Sequence, residues 1–257
     1  MGNGPVPTDI ARREHWEKVW KSTRAVHGYS RYNYYDFLLA NLFRTWTRPG
    51  DKVLEIGCGG SRWLGFFAGG LGLESWGIDY SPEGLKLLEQ SYSGVPNVCL
   101  VLGDFFDPTL LPAEQFDFIY SLGFIEHFTE TPIVTQRIAQ LLRPGGRVMT
   151  LVPNFVSTYG RLQKLVVPDV FEKHVVLAPS TLDASHATAG LTPVMPARYY
   201  GCFAPGVVDF GAWQKVVIPP LKVLQHTICW VLHMLRCDGN SRITSPYVVG
   251  VYERAES

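Results

Sequence analysis

The chain has 257 residues, enough for one large domain, or one domain with insertions, at about 150 residues per domain, and it needs no staples to bury a core. Hydrophobic residues make up 46% and charged residues 18%, which excludes a disordered chain. Lys plus Arg and Asp plus Glu are 23 each, so net charge is zero and no basic surplus exists for a nucleic-acid backbone or an anionic lipid surface.

The first eight residues, MGNGPVPT, are Gly/Pro-rich and aperiodic. Met1-Gly2 is followed by Val6 where myristoylation wants Ser or Thr, so no lipid is expected. No basic-then-apolar leader opens the sequence. Cys58, Cys99, Cys202, Cys229 and Cys237 contain no CxxC pair, which argues against a disulfide framework and a structural zinc site. These features predict a cytoplasmic location and no metal. Thr8 or Asp9 can cap a first helix with Trp16, Val19 and Trp20 on one face. A second helix carries Tyr35, Leu38, Leu39, Leu42, Phe43 and Trp46 at helical spacing and stops at Pro49-Gly50. Together, residues 8–48 are expected to form a helical cap, joined by a polar, aromatic stretch over 27–35.

From Lys52 the pattern changes. Short apolar runs at 52–56, 75–79, 98–104, 116–121 and 147–152 alternate with helical segments at 61–70, 81–90 and 131–142. Ser81-Pro82 is a helix-start signal. Such alternation predicts an α/β, doubly wound, mostly parallel sheet, which binds ligands beyond the carboxyl ends of its strands. After Val152 the regularity fades: a helix is expected near 157–166, strands at 192–201 and 245–254, and an insertion between them. Within that insertion the apolar run Val216 to Leu235 is broken by Pro219, Pro220, Lys222, Gln225, His226 and His233. It is too interrupted to span a bilayer, and a mostly buried helix after Pro220 is expected. The organisation reads as a single domain, 1–257, with a cofactor-binding core at 51–153 and substrate-side segments at 154–257.

The sharpest motif is VLEIGCGGSRW, from Val53 to Trp63. A strand runs into Gly57, Gly59 and Gly60, with a helix expected from near Ser61, and the glycines allow a tight turn and a ligand against bare backbone. A dinucleotide fingerprint would want a third glycine where Arg62 stands. Glu55, just before the turn, would repel a pyrophosphate and attract a cation. S-adenosylmethionine carries a sulfonium, an ammonium and no phosphate, and fits better. Asp79 comes 22 residues after Gly57, near the ~20-residue offset at which an acid meets a ribose. Asp104-Phe105, after the third strand, suits an adenine, with an acceptor for its amino group and a ring for its face. Each piece alone has a bland explanation, since a strand-terminal Asp is often a helix cap; the joint pattern decides.

VLEIGCGGS, GIDYS, GDFFD, FDFIYSLGFIEHF and LLRPGGRV, in that order, resemble the Rossmann-like (class I) S-adenosylmethionine-dependent methyltransferases over residues 51 to 153. The resemblance implies seven strands, with the last antiparallel and paired with the sixth. It also implies that Glu55, Gly57 and Gly59 border the methionine moiety, that Asp79 holds the ribose, that Asp104 and Phe105 flank the adenine, and that Cys58 and Tyr80 belong to the same cofactor site. Ser121 and Leu122 would line the methyl-donor pocket. The stretch PNFVSTYGRLQ with Lys173-His174 is similar to small-molecule O-methyltransferases of quinone biosynthesis, a hint about acceptor size.

In-line methyl transfer needs positioning more than a strong base: effective molarities reach ~10⁵–10⁸ M, against ~10²–10⁴-fold for a general base. If a base is used, His127 in SLGFIEHF is the first candidate and His174 the second. Tyr29, Tyr32 and Tyr34 are expected as the lid, whereas Trp16, Trp20 and Tyr35 are assigned to packing. The expected function is methyl transfer to oxygen or nitrogen of a small molecule, with no nucleic-acid partner and no membrane span. The alternatives are a nicotinamide-dependent reductase and a non-catalytic cofactor-binding regulator.

Overall fold

In the computed structural model, which describes residues 6–23, 26 and 28–256, the strand–helix alternation closes into one seven-stranded sheet. Its strands are β1 (Lys52–Ile56), β2 (Glu74–Asp79), β3 (Val98–Leu102), β4 (Phe116–Leu122), β5 (Leu142–Pro153), β6 (Leu191–Tyr200) and β7 (Tyr247–Arg254). Their spatial order is β3-β2-β1-β4-β5-β7-β6. The first five run parallel, and β7 is antiparallel to both neighbours. The sequence order therefore reverses at β1/β4, where the carboxyl ends diverge and leave a crevice. The Gly/Pro-rich first five residues, and His27 of the aromatic stretch, lie outside the described residues.

Period-2 alternation sorts the strand side chains onto two faces. Leu54, Ile56, Ile119, Val148, Val152 and Tyr252 join one buried cluster, while Val53, Phe118, Tyr120, Met149, Leu151 and Val251 join another. Helices α4 (Thr131–Leu141) and α7 (Pro179–Thr188) contribute to the first layer, and α2 (Tyr34–Trp46) to the second. α2 is capped by Asn33, whose side chain accepts from the Tyr35 and Asp36 amides, and α3 (Pro82–Tyr92) by Ser81 with Pro82 in the first turn.

Several expectations are corrected. The helix expected from Ser61 does not begin there. Ser61 Oγ donates to Glu55 and accepts from the Trp63 amide, so residues 61–63 turn irregularly before a π-helical turn at Phe66–Gly70. Asp9 does not cap α1 (Arg13–Ser22): its Oδ1 accepts from the amides of Ala11 and Arg12, ahead of the helix. The late segment holds α5 (Thr158–Val166), a single turn α6 (Pro168–Phe171) and α7, the last unforeseen because its buried face is Leu182, Ser185 and His186 rather than an apolar stripe. The final helix, α8 (Gln214–Met234), runs through Pro219 and Pro220 instead of starting after them, and it is not mostly buried. Only Ile218, Gln225 and Cys229 are buried, while Val216, Val223, Met234 and the following Leu235 are 66–72% exposed. Two of the scattered cysteines meet: the Cys202 and Cys229 thiols are buried with sulfurs 2.9 Å apart. No described helix is long and apolar enough to cross a membrane.

Candidate active site

The turn after β1 is shaped by its glycines. Gly57 sits at φ +69°, where a Cβ would come within 2.7 Å of the Phe124 ring. A Cβ at Gly59 would meet the Trp20 indole and the Asp79 carboxylate at 2.7–2.9 Å. Both glycines line a cavity of about 210 Å³ at the carboxyl ends of β1, β2, β3 and β4. Asp79 stands in its wall, with Oδ2 accepting from the Gly59 amide at 2.7 Å and Oδ1 from the Ser81 amide at 2.8 Å. Burial pushes its carboxyl above the usual range, against those two amide bonds. Tyr80 lines the same wall and donates its hydroxyl to Asp9 Oδ2 at 2.9 Å. Asp104 and Phe105 form the next stretch, with Phe106, Phe124 and Phe128 adding an aromatic end and Leu122, the last residue of β4, the floor.

Three expected cofactor contacts do not reach the cavity. Glu55 points to the opposite face of β1, where its Oε2 accepts from Ser61 Oγ and, at 2.7 Å, from the Tyr120 hydroxyl. Burial there pushes its carboxyl up to about 8. Cys58 is packed with Leu64, Leu85 and Leu88 behind the turn. Ser121 points away from the cavity because it alternates with Leu122 along β4.

The lid is also reassigned. Tyr29 packs on Trp63 and Phe66, Tyr32 is 72% exposed, and Tyr34 is buried edge-on against Trp230. None of the three lines the cavity. Trp16 and Trp20 of α1, stacked at 5.9 Å, cover it instead, with Val6, Pro7 and Asp9. This segment is tied across the opening by Ile10 N–H donating to the His127 carbonyl at 2.9 Å and Thr129 N–H to the Thr8 carbonyl at 3.2 Å. Trp20 Nε1 is buried with no partner. Sequence reading missed these roles because Trp16 and Trp20 at i, i+4 also suit a packing stripe. It also missed Arg137, a buried cation on α4 whose guanidinium donates to the carbonyls of Phe105, Asp107 and Leu111, and so holds the loop after β3.

At the β4 side, His127 lines the cavity and His174 packs on it with ring centroids 4.6 Å apart, outside the cavity wall. Burial holds both rings down to about 4, so both are neutral near pH 7. Glu126, beside them, is fully buried and its carboxyl is pushed up to about 8.

The cavity fits S-adenosylmethionine rather than a dinucleotide. Among its described lining residues there is no Lys or Arg to meet a diphosphate. Arg62, in the position of the missing glycine, instead pairs with Asp36 at 3.2 Å. One end is carboxylate and bare backbone; the other is aromatic.

The family described as "Methyltransferase domain" matches residues 54–150. Residues 54–150 thus carry a methyltransferase domain. Its donor is S-adenosylmethionine, and the nicotinamide and non-catalytic alternatives gain no support. Among curated relatives, one described as a probable thiol methyltransferase of Arabidopsis thaliana is 27% identical over 208 residues, 78% of this chain and 84% of that protein. A demethylmenaquinone methyltransferase of Staphylococcus carnosus is 29% identical over 131 residues, 47% of this chain and 53% of that protein. The methyltransferase thus spans most of one relative and about half of the other. In structure it is similar to a phosphoethanolamine N-methyltransferase of Haemonchus contortus solved with phosphomonomethylethanolamine and S-adenosylhomocysteine. That match has a TM-score of 0.60 at 14% identity and covers 96% of this chain and 59% of that one. At that identity the likeness concerns the fold.

Proposed function

We propose that this methyltransferase, acting as a single domain in the cytoplasm, moves a methyl group from S-adenosylmethionine to a nucleophilic atom of a small molecule, oxygen or nitrogen being the expected acceptors. The observation that carries the reading is the cavity itself: a glycine turn, a strand-terminal Asp79 and an aromatic Asp104-Phe105 end, closed by two tryptophans and free of lining cations. The relatives named above act, by their names, on small molecules. Neutral overall charge gives a nucleic-acid acceptor no electrostatic footing.

The residues divide the work by position. Gly57 and Gly59 leave backbone open to the methionine portion, Asp79 accepts from the ribose hydroxyls, and Asp104 with Phe105 receives the adenine. Bound S-adenosylmethionine supplies an electrophilic methyl group on a positively charged sulfur. Trp16 and Trp20 exclude water from that end, which favours transfer to the acceptor over loss to solvent. His127 presents the acceptor side with its imidazole edge, Nδ1 held by the Lys173 carbonyl and the ring also beside the Gly123 backbone. Because its conjugate acid lies near 4, it orients an acceptor better than it removes a proton at neutral pH. His174 acts through His127 and does not reach the cavity.

Titration calorimetry tests the donor: binding of S-adenosylmethionine without comparable binding of NAD is expected, and the reverse overturns the reading. Incubation with a metabolite extract and methyl-labelled donor tests the acceptor: one small molecule should gain the mass of a single methyl group. Label appearing only in RNA or DNA would replace the small-molecule assignment.

A further inference from the structure

The loops after β4 and β5 bring Glu126, His127 and His174 together. One carboxylate oxygen and one nitrogen of each ring all lie within 4.8 Å of one another. The two loops are held in register by Val175 N–H donating to the Glu126 carbonyl at 2.6 Å and by His127 Nδ1 donating to the Lys173 carbonyl at 2.8 Å. His174 Nδ1 donates to the Val170 carbonyl at 2.7 Å. A carbonyl only accepts, so each Nδ1 carries the ring proton and each Nε2 keeps a lone pair, that of His127 lying beside the Gly123 backbone. A main-chain carbonyl on one ring nitrogen is the usual way to fix an imidazole for metal ligation through the other. Glu126 adds an independent observation. It is 2% exposed and its Oε2 meets no donor, an arrangement that costs free energy unless a cation or proton answers it.

We propose that Glu126, His127 and His174 bind one divalent transition-metal ion just behind the cavity wall, on the side that His127 lines. Two imidazoles and a carboxylate suit a zinc-like ion better than magnesium or calcium, which prefer all-oxygen sites. Three protein ligands leave a coordination position for a non-protein group. Since His127 also lines the cavity, an acceptor with an anionic oxygen or sulfur is the class of molecule that completes the site. That acceptor role rests on the methyl-transfer reading above, whereas the ion site does not.

The test uses the full chain with Cys237→Ser, which removes an exposed thiol, stripped with a chelator and titrated with Co(II) and then Zn(II). One equivalent should bind, with visible Co(II) bands of nitrogen–oxygen ligation that Zn(II) abolishes. His174→Gln and Glu126→Gln should each weaken both ions by about 100-fold or more, beyond the loss typical of supporting residues around a metal. Heat of S-adenosylmethionine binding to His174→Gln should stay unchanged. Unaltered ion affinity in folded His174→Gln overturns the site. Should that variant not fold, X-ray absorption of the zinc-loaded parent decides: two imidazoles are expected, and none overturns it. S-adenosylmethionine binding without any ion removes the metal and leaves the methyl-transfer reading, while ion binding without S-adenosylmethionine removes the acceptor role and leaves the site.

Discussion

The Asp79 carboxylate spends one oxygen on the Gly59 amide and the other on the Ser81 amide, so it ties the glycine turn to the start of α3 while facing the cavity. Asp79→Ala therefore removes a cofactor acceptor and unpairs two amides. S-adenosylmethionine binding is expected to weaken by about 1–3 kcal/mol, read by calorimetry on a folded variant. Gly57, at φ +69° with Phe124 beside it, tolerates no side chain. Gly57→Ala should lower stability by about 1–2 kcal/mol through left-handed strain alone, measured by denaturant unfolding. Both residues were readable from VLEIGCGGS and GIDYS, because turn geometry and a strand-terminal acid are local properties. Glu55 and Ser121 were not placed correctly by their motifs. The direction in which a strand side chain points depends on which face its neighbours cover, and residues adjacent to a site in sequence sit on the far face half the time.

Elements show the same division. β1 begins and ends where its apolar run does, since Lys52 and Gly57 bound it sharply. α7 escaped notice because its buried positions include the polar Ser185 and His186: Thr135 Oγ1 donates to the Ser185 main-chain carbonyl at 2.7 Å, and His186 Nε2 lies 3.0 Å from Thr150 Oγ1. α1 has no buried residue and lays Trp20 over Gly59, Gly60 and Gly84. It follows that Trp20→Ala should reduce S-adenosylmethionine affinity by about 1.5–3 kcal/mol, the worth of one buried large side chain, while shifting the thermal midpoint little. A large loss of midpoint with unchanged affinity would make α1 a packing element and not a lid.

Across the whole molecule, buried carboxyls and buried imidazoles set opposing pH limits, as Glu55 and His186 illustrate. Glu55 has its carboxyl raised from 4.5 to about 8 by burial. Its contribution is complete below 4.5 and is lost as pH rises through about 8, because the unfolded chain ionises first. His186, stacked on Tyr252 at 3.7 Å, is lowered from 6.5 to about 4 by burial. Its contribution is complete above 6.5 and is lost as pH falls through about 4. Glu126, raised to about 8 in the same way, adds to the loss on the alkaline side; thermal stability should therefore decline between pH 6.5 and 8 in the parent, and Glu55→Gln should remove only the Glu55 share of that decline. A decline as steep in the variant as in the parent would mean that Glu55 ionises normally in the fold.

The amino-acid sequence by itself determined the strand–helix alternation of the core, the glycine turn, the acids at the ends of β2 and β3, and hence the donor. All of these arise from contacts within a turn or a few residues. Only the tertiary structure decided that α1 closes the cavity, that α8 leaves its apolar face exposed, that Glu55 turns inward, and that Glu126, His127 and His174 converge. Those outcomes depend on chain segments tens of residues apart meeting in space, and burial, not spacing, selects which side chains end up facing one another.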